Sequence, residues 1–241
     1  MLTVIGIGPG SESMMTQDAI AAIREAEIIV GYKTYTHLVK SMTLDKQVIK
    51  TGMCKEIERC QAAIDLALAG HNVALISSGD AGIYGMAGLV LELVTQQQLA
   101  LEVRLVAGIT ASIAAASLLG APLMHDFCHI SLSDLMTPWE VIEKRIIAAA
   151  QADFVICFYN PRSRGREGHL ARAFELMQPW KKTATPVGVV KAAGRKKQEK
   201  WLTTIGDMDF EPVDMTSLVI VGNQATYCRH GLMITPRGYS L

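Results

Sequence analysis

Leu2-Thr3-Val4-Ile5-Gly6-Ile7-Gly8-Pro9-Gly10 begins the chain with a short apolar run that leads directly into glycines. An apolar, β-branched run of this length predicts a buried strand, and the glycines predict a tight turn after it. A dinucleotide-binding loop needs Gly-x-Gly-x-x-Gly, but here the third glycine comes one residue early, and the Lys and Ser/Thr of a phosphate loop are missing. By itself the loop is equally consistent with a structural turn and with a binding site.

The rest of the chain continues this alternation of apolar β-rich runs and helical periodicity, which is typical of parallel sheets flanked by helices. The predicted strands are Leu2–Ile5, Ile28–Val30, Val73–Ile76, Leu101–Val106, Cys128–Leu132, Phe154–Phe158, Pro186–Val190 and Ser217–Val221. The predicted helices are Gln17–Ala26, Cys54–Ala69, Tyr84–Gln97, Thr110–Leu119, Pro138–Ala150 and Arg166–Met177. Because Gly120-Ala121-Pro122 breaks the fourth helix, we expect an N-terminal α/β domain over 1–123 and a C-terminal α/β domain over 124–241.

Composition narrows the classes of protein that the chain can represent. It has 241 residues, half of them apolar, which is enough for one large domain or two domains with their own cores. Five cysteines without a Cys-x-x-Cys pair argue against a disulfide framework or a zinc site, so we expect a cytoplasmic protein without a protein-bound metal. No signal peptide is recognisable, and the longest mostly apolar stretch is shorter than the roughly 20 residues of a membrane span.

Charge is distributed unevenly along the chain although the formal net charge is zero. Residues 161–201 contain eleven Lys or Arg against three Glu, a local charge of +8 that the remainder balances. Such a segment is usually a set of solvated faces, but it also suits an anionic ligand. Arg162, Arg164 and Arg166 follow an apolar strand, and guanidinium groups pair well with carboxylates.

Three further stretches place small and polar residues directly after predicted strands. They are Ser77-Ser78-Gly79-Asp80-Ala81-Gly82-Ile83-Tyr84-Gly85, Ala107-Gly108-Ile109-Thr110-Ala111-Ser112 and Ser131-Leu132-Ser133-Asp134-Leu135-Met136-Thr137-Pro138. In an open α/β sheet the carboxyl ends of the strands form the ligand-binding edge, so we expect these loops to face one crevice. As ordinary structural residues, Asp80 would be a turn residue and Thr110 a helix N-cap.

In this order, the glycine loop, Gly79-Asp80 with Ile83-Tyr84, and Gly108-Ile109-Thr110-Ala111 resemble the motifs of the tetrapyrrole methylases. The likeness covers essentially the whole chain. Residues 131–139 and Tyr159-Asn160-Pro161-Arg162-Ser163 resemble the branch that methylates carbon 17 of precorrin-3B or cobalt-factor III and contracts the macrocycle in cobalamin biosynthesis. The resemblance implies the two-domain fold of the class III S-adenosylmethionine methyltransferases, each domain a mostly parallel sheet flanked by helices, with the cofactor in a cleft between domains of a homodimer.

The resemblance also implies roles for individual residues. The cofactor pocket would be lined by Pro9, Gly79, Asp80, Ile83, Thr110, Ala111, Asn160, Ala192, Ala193, Thr235 and Pro236. The tetrapyrrole substrate would be held by Gly8, Ser133, Arg162, Arg164 and Arg166. Uroporphyrinogen methyltransferases carry an aspartate proposed as a base, but Tyr32 stands at that position here, so that role is not carried over. For proton transfer during ring contraction the candidates are Asp134, Tyr32, Lys33 and His37, each of which is equally consistent with a structural role.

Several alternatives remain open on the sequence alone. Methylation at carbon 11 or carbon 20 would use the same cofactor motifs, and a non-catalytic tetrapyrrole-binding protein would use the basic segment alone. A nicotinamide oxidoreductase would need the dinucleotide loop that is missing. Whether the natural macrocycle is metal-free or contains cobalt is also open.

Overall fold

The computed structural model describes residues 1–163 and 165–240, and the chain divides into two compact units, Met1–Ala111 and Ser112–Leu241. The helices and strands of the first unit are β1 (Leu2–Gly6), α1 (Gln17–Glu25), β2 (Ile28–Tyr32), α2 (Lys33–Leu38), β3 (Gln47–Thr51), α3 (Glu56–Leu68), β4 (Val73–Ser77), α4 (Ala87–Gln96) and β5 (Val103–Val106). Short 3-10 helices lie at Glu12–Met14 and Lys40–Met42.

The first sheet has the order β3-β2-β4-β1-β5, and every neighbouring pair is parallel. Side chains alternate between its two faces, as they must on a strand. Leu2 and Val4 pack in a core with α3 and α4, whereas Ile5 packs in a second core with α1. Because both faces are covered, β1 and β4 are buried along their full length, which explains why they read as continuous apolar runs.

The second unit contains most of α5 (Ala111–Leu119) and all later elements. These are β6 (Gly120–Ala121), β7 (Phe127–Ser131), α6 (Trp139–Gln151), β8 (Val155–Tyr159), α7 (His169–Met177), β9 (Pro186–Lys191), β10 (Glu199–Thr204), β11 (Ser217–Val221), β12 (Tyr227–Arg229) and β13 (Leu232–Ile234). Helices α6 and α7 cover one face of the main sheet. On the other face, a Cβ placed on Gly188 would lie 2.5 Å from the Leu119 side chain of α5.

The second sheet corrects the expectation that both sheets are mostly parallel. Its order is β10-β9-β11-β8-β7, and only the β7–β8 pair is parallel. The connection from β9 to β10 spans only residues 192–198, too few for the crossover that parallel neighbours require, so the two strands form a hairpin. Strand β11 then lies between β8 and β9 and is antiparallel to both.

Helix α5 has its contacts in the second unit, whereas the sequence assigned it to the first domain. Ser112 Oγ lies 2.8 Å from His129 Nε2 on β7, and Lys200 Nζ of β10 donates to the Leu118 carbonyl. The compact units therefore divide after Ala111, about twelve residues before the break predicted from Gly120.

Two global properties of the described ranges complete the fold. No helix in residues 1–163 and 165–240 combines the length and the apolar character that crossing a bilayer requires. Within the same ranges, no group of three His, Cys, Asp or Glu side chains is placed to hold a metal ion.

Burial raises the pKa of the Cys60 thiol to about 11, so this cysteine behaves as a core side chain.

Candidate active site

Two of the predicted loops of the first unit pair directly through their backbones. The Gly8 amide donates to the Gly79 carbonyl at 3.0 Å, and the Gly79 amide donates back to the Gly8 carbonyl at 2.8 Å. One step earlier, the Ile7 amide donates to the Ser77 carbonyl at 2.9 Å. The loops after β1 and β4 thus meet at the carboxyl edge of the parallel sheet, as the sequence predicted.

Asp80 joins this pair of loops to the loop that follows β5. Its Oδ1 accepts a hydrogen bond from the Gly82 amide at 2.8 Å, and its Oδ2 accepts one from the Gly108 amide at 2.9 Å. A carboxylate that accepts backbone N–H groups makes strong, charge-assisted hydrogen bonds. Asp80 therefore holds the loops after β4 and β5 together, and its remaining lone pairs can accept further hydrogen bonds.

Three glycines in these loops are required by the packing of the protein's own backbone. A Cβ on Gly6 would lie 2.7 Å from the Gly108 amide nitrogen, and a Cβ on Gly108 would lie 2.5 Å from the Gly6 carbonyl oxygen. Gly8 has φ +70°, and a Cβ there would lie 2.6 Å from the Met14 carbonyl oxygen. The structure thus gives Gly8 a backbone reason to be glycine, and its substrate contact stays a prediction.

Gly79 differs from these glycines. It has φ +66°, but a Cβ would make only ordinary contacts, 3.7 Å from Thr110 Cα and 3.8 Å from the Ala111 amide nitrogen. Thr110 is buried and Ala111 half-buried at the start of α5. Pro9 and Ile83 lie in the loops after β1 and β4. The structure therefore brings the predicted cofactor residues of the first unit to one edge of its sheet.

Tyr32 ends β2, the strand beside β4, and so lies at the same sheet edge. Its ring meets the Tyr35 ring edge-on at 5.2 Å, and the Arg59 guanidinium lies 5.9 Å from its centroid. Arg59 is buried and donates to Thr51 Oγ1 at 2.6 Å, so its position is fixed. Lys33 and His37 lie on α2 and are exposed.

In the second unit, Ser131 connects the ends of β7 and β8. Its hydroxyl oxygen accepts a hydrogen bond from Asn160 Nδ2 at 2.9 Å and another from the Ser133 amide at 3.2 Å. Asn160 has φ +51°, a left-handed conformation that asparagine tolerates better than most residues. The structure therefore brings together Asn160 and Ser133, which the sequence assigned to different ligands.

Asp134 lies on the same loop, and its carboxylate faces an arginine and a histidine. Its Oδ1 lies 4.0 Å from Arg166 Nη1, and its Oδ2 lies 3.7 Å from His169 Nε2. Arg166 donates from Nε to Ser163 Oγ at 2.8 Å, while its Nη1 is buried and has no hydrogen-bond partner within the described part of the chain. His169 was missed by the sequence analysis, because a single histidine after a glycine carries no local motif.

Arg162 does not present a free guanidinium group. Its Nη1 donates to the Phe210 carbonyl at 2.9 Å and to the Glu211 carbonyl at 3.1 Å, and its Nη2 lies 3.4 Å from the Glu211 carboxylate. These contacts anchor the 210–211 loop, and the substrate contact of Arg162 stays a prediction. Arg164 lies outside the residues that the structure describes.

The other cations of the basic segment pair mostly within the protein. Arg172 contacts Glu143 and Glu175, and Lys191 lies 2.7 Å from Asp214. Lys181 is buried, and its Nζ donates to Asp153 Oδ1 and to two carbonyls; burial lowers its pKa, and Asp153 offsets part of that effect. In the described part of the +8 segment, these three cations thus form separate internal pairs.

Ala192 and Pro236 lie at opposite edges of the second sheet. Ala192 follows β9 with φ +50°, and β9 and β8 run in the same direction on either side of β11, so Ala192 and Ala193 lie at the Asn160 edge. Pro236 instead lines a depression with Phe154 at the start of β8. Thr235 is buried and bonds to Thr226 Oγ1 at 2.8 Å. The structure therefore does not bring Thr235 and Pro236 together with Asn160.

A second polar cluster that sequence reasoning missed surrounds the first turn of α5. The Ser112 amide donates to the Tyr159 hydroxyl at 3.0 Å, and Ser112 Oγ lies 2.8 Å from His129 Nε2. The His129 and Tyr159 ring centroids are 5.1 Å apart. Burial lowers the pKa of His129, which favours the neutral ring. This cluster fixes the beginning of α5 against β7 and β8.

Comparisons with known proteins point in one direction. Residues 1–209 match the family model described as Tetrapyrrole (Corrin/Porphyrin) Methylases. The chain is 81% identical over the full length of both proteins to a probable cobalt-factor III C(17)-methyltransferase of Salmonella typhimurium. It is 38% identical to a precorrin-3B C(17)-methyltransferase of a Sinorhizobium species, over 99% of this chain and 97% of the relative. The crystal structure of the methyltransferase CobJ superposes with a TM-score of 0.92 at 36% identity, covering 98% of this chain and 99% of that one.

Proposed function

Because the chain belongs to the tetrapyrrole (corrin/porphyrin) methylase family, we propose that it methylates carbon 17 of a corrinoid precursor in cobalamin biosynthesis, with contraction of the macrocycle. This proposal rests on the 81% identity, over the full length of both chains, to a relative named for that reaction. The alternative of a non-catalytic tetrapyrrole-binding protein has no comparable support, because the loops joined by Asp80 are formed here.

The substrate that we propose is cobalt-factor III. The relative named for the cobalt-containing macrocycle is 81% identical, whereas the relative named for precorrin-3B is 38% identical. Cobalt enters this proposal as part of the substrate.

The methyl donor that we propose is S-adenosylmethionine, bound at the edge where the loops after β1, β4 and β5 meet. The residues there suit it: backbone amides and carbonyls, the Thr110 hydroxyl, and small side chains such as Ala111 that leave room for an adenosyl group. The donor supplies a methyl group on a sulfonium and leaves as S-adenosylhomocysteine. Asp80 contributes by holding the Gly79 and Gly108 loops in register, so the protein's part is to position the two reactants.

Arg166 is the arginine of the basic segment that best fits a carboxylate of the macrocycle. Its Nη1 is buried without a hydrogen bond among the described residues, and such a donor is costly unless a ligand completes it. Arg162 is already occupied by the 210–211 loop. We therefore place substrate recognition on Arg166 and Ser133, which lie at the carboxyl edge of β7 and β8.

The test is to incubate the protein and S-adenosylmethionine with cobalt-factor III and, separately, with precorrin-3B. Mass spectrometry and NMR of the product should show one added methyl group at carbon 17 and a contracted ring, with faster formation from cobalt-factor III. A methyl group at carbon 11 or carbon 20 would assign the chain to a different reaction of the family. Calorimetry showing no binding of S-adenosylmethionine would reject the enzymatic proposal altogether.

We also propose that the protein works as a homodimer in the cytoplasm, as its family resemblance implies. Size-exclusion chromatography with light scattering should give a mass of twice 26.1 kDa. A monomer that is active at assay concentration would contradict the dimer.

A further inference from the structure

The two nitrogens of the His169 ring have different surroundings: Nδ1 contacts a backbone carbonyl, and Nε2 faces a carboxylate. Its Nδ1 lies 3.1 Å from the Leu132 carbonyl oxygen, which can only accept a hydrogen bond, so the hydrogen of the neutral ring sits on Nδ1. Its Nε2 is then the nitrogen that gains or loses a proton. This nitrogen faces Asp134 Oδ2 at 3.7 Å.

The plane of the His169 ring is fixed by a second contact. The ring stacks on Trp139, with centroids 4.2 Å apart and planes at 20°. Trp139 is itself held because its Nε1 donates to Glu143 Oε1 at 3.1 Å, and Glu143 also accepts from Arg172. The Leu132 and Trp139 contacts together fix the ring with Nε2 facing Asp134.

The charges around the pair come from three elements. Arg166, in the loop before α7, lies 4.0 Å from Asp134 Oδ1, while Glu143 of α6 lies behind Trp139 and shares Arg172 of α7 with Glu175. About a third of the Asp134 side chain is exposed, and about a fifth of His169. At 3.7 Å, one water molecule between Asp134 Oδ2 and His169 Nε2 gives a proton on Asp134 a short route through His169 to solvent.

We propose that His169 exchanges a proton with Asp134 and so restores the Asp134 carboxylate during the reaction that contracts the macrocycle. An acidic hydrogen of the substrate passes to Asp134 Oδ2, and the electron pair of the broken bond stays on the substrate. The same proton then leaves Asp134 for His169 Nε2 and is released from the imidazolium to water. No group changes its oxidation state. This inference rests on the proposed function, and His169 acts through Asp134 as a positioning and proton-exchanging residue.

The test compares His169→Gln and His169→Ala with the wild-type enzyme, using cobalt-factor III and S-adenosylmethionine from about pH 6 to pH 9. Gln keeps a polar side chain of similar length at this position, but it cannot exchange a proton in this range. We expect product formation to fall at least about tenfold in both variants, less than the roughly 10²–10⁴-fold typical of general acid–base catalysis because His169 acts through Asp134. The limb of the pH profile in the neutral range, where histidine ordinarily changes charge, should disappear. Added imidazole should restore turnover in His169→Ala.

A matched control is available in the same unit. His125 Nδ1 lies 3.7 Å from Asp126 Oδ2, the same separation as in the Asp134–His169 pair, but His125 precedes β7 at the opposite edge of the sheet. His125→Gln should leave the rate and the pH profile unchanged.

The outcomes separate this inference from the proposed function. If the wild-type protein produces no S-adenosylhomocysteine with either macrocycle, the proposed function fails and this inference fails with it. If the wild type is active but His169→Gln keeps the wild-type pH profile, or imidazole does not restore His169→Ala, only the role of His169 is rejected. Both variants could also have lower melting temperatures while their folded protein keeps the wild-type pH profile of turnover. That result would likewise show that His169 has only a structural role.

Discussion

Asp80 Oδ2 and the Gly108 amide nitrogen are 2.9 Å apart, and this hydrogen bond ties the loop after β4 to the loop after β5. The contact spans 28 residues of sequence within one sheet edge. The Gly-Asp motif therefore has a structural role, because the Asp80 carboxylate binds backbone amides of the protein as well as being a candidate ligand contact. The two roles can be separated by substitution.

Asp80→Ala should lower the affinity for S-adenosylmethionine at least about tenfold, or roughly 1.4 kcal/mol, because the Gly82 and Gly108 amides lose their shared acceptor. Asp80→Asn keeps one acceptor oxygen but turns an NH₂ group toward one of the two amides. It should therefore give an intermediate loss. Titration calorimetry measures both, and wild-type affinity in Asp80→Ala would remove Asp80 from the donor site.

Gly8→Ala should lower the free energy of unfolding more than it lowers the turnover of the folded protein. Its φ of +70° and the Met14 carbonyl oxygen 2.6 Å from the new Cβ both oppose a side chain, and we expect a loss of about 1–3 kcal/mol. Gly88→Ala is the control, since no atom lies within 4 Å of a Cβ there and the residue is inside α4, where alanine should stabilise by roughly 0.5–1 kcal/mol. Denaturant unfolding of the two variants should show opposite signs; a stable but inactive Gly8→Ala would restore a ligand-contact role.

Arg166→Gln and Arg162→Gln should differ in kind. Arg166→Gln should raise the KM for the macrocycle, because a carboxylate loses a buried partner worth on the order of 1–3 kcal/mol, and should leave donor affinity near wild type. Arg162→Gln should lower stability through the 210–211 loop and leave that KM unchanged. Steady-state kinetics with both substrates varied, together with thermal melts, measures these effects. The reverse pattern would show that the two arginines are assigned to the wrong roles.

His129→Gln should change how stability depends on pH. Burial lowers the pKa of His129 from its ordinary value of 6.5, so the unfolded chain takes up a proton near pH 6.5 while the folded protein resists it. The stability contributed by the neutral ring is therefore complete above about pH 6.5 and is lost as the pH falls below that value.

Melting temperatures measured from pH 8 to pH 5 should accordingly fall less steeply for His129→Gln than for the wild type. Glutamine can still bond to Ser112, which limits the loss at high pH. The exposed His37→Gln is the control and should follow the wild-type curve. Parallel curves for all three proteins would contradict the assignment.

Strands buried on both faces were predictable, whereas two polar strands at sheet edges were missed, although the more apolar edge strands β5 and β7 were found. The continuous apolar runs of β1, β4 and β11 identified their strands to within one residue. Strand β3 (Gln47–Thr51) and strand β10 (Glu199–Thr204) were missed, because each lies at the edge of its sheet, is partly exposed and carries polar residues. The direction of β11 was also beyond local pattern, since it depends on pairing between β8 and β9.

The same division applies to the candidate site. The convergence of the glycine loops followed from the rule that ligands bind at the carboxyl edge of a parallel sheet, and the structure confirms that these loops meet. What Arg162 binds depends on a loop 48 residues away, and no local pattern reports it. His169 was missed for the same reason, because its partners Leu132 and Asp134 precede it by more than thirty residues.

The position of β11 also has a consequence for how the chain is made. Residues 217–221 pair with β8 on one side and β9 on the other, so the ribosome must synthesise more than two hundred residues before the second sheet can close. Until then the nascent chain exposes the facing edges of two apolar strands, each a template for pairing with another chain. The sheet of the first unit is complete once β5 has emerged from the ribosome. The first unit can therefore fold before β11, the central strand of the second sheet, has been synthesised.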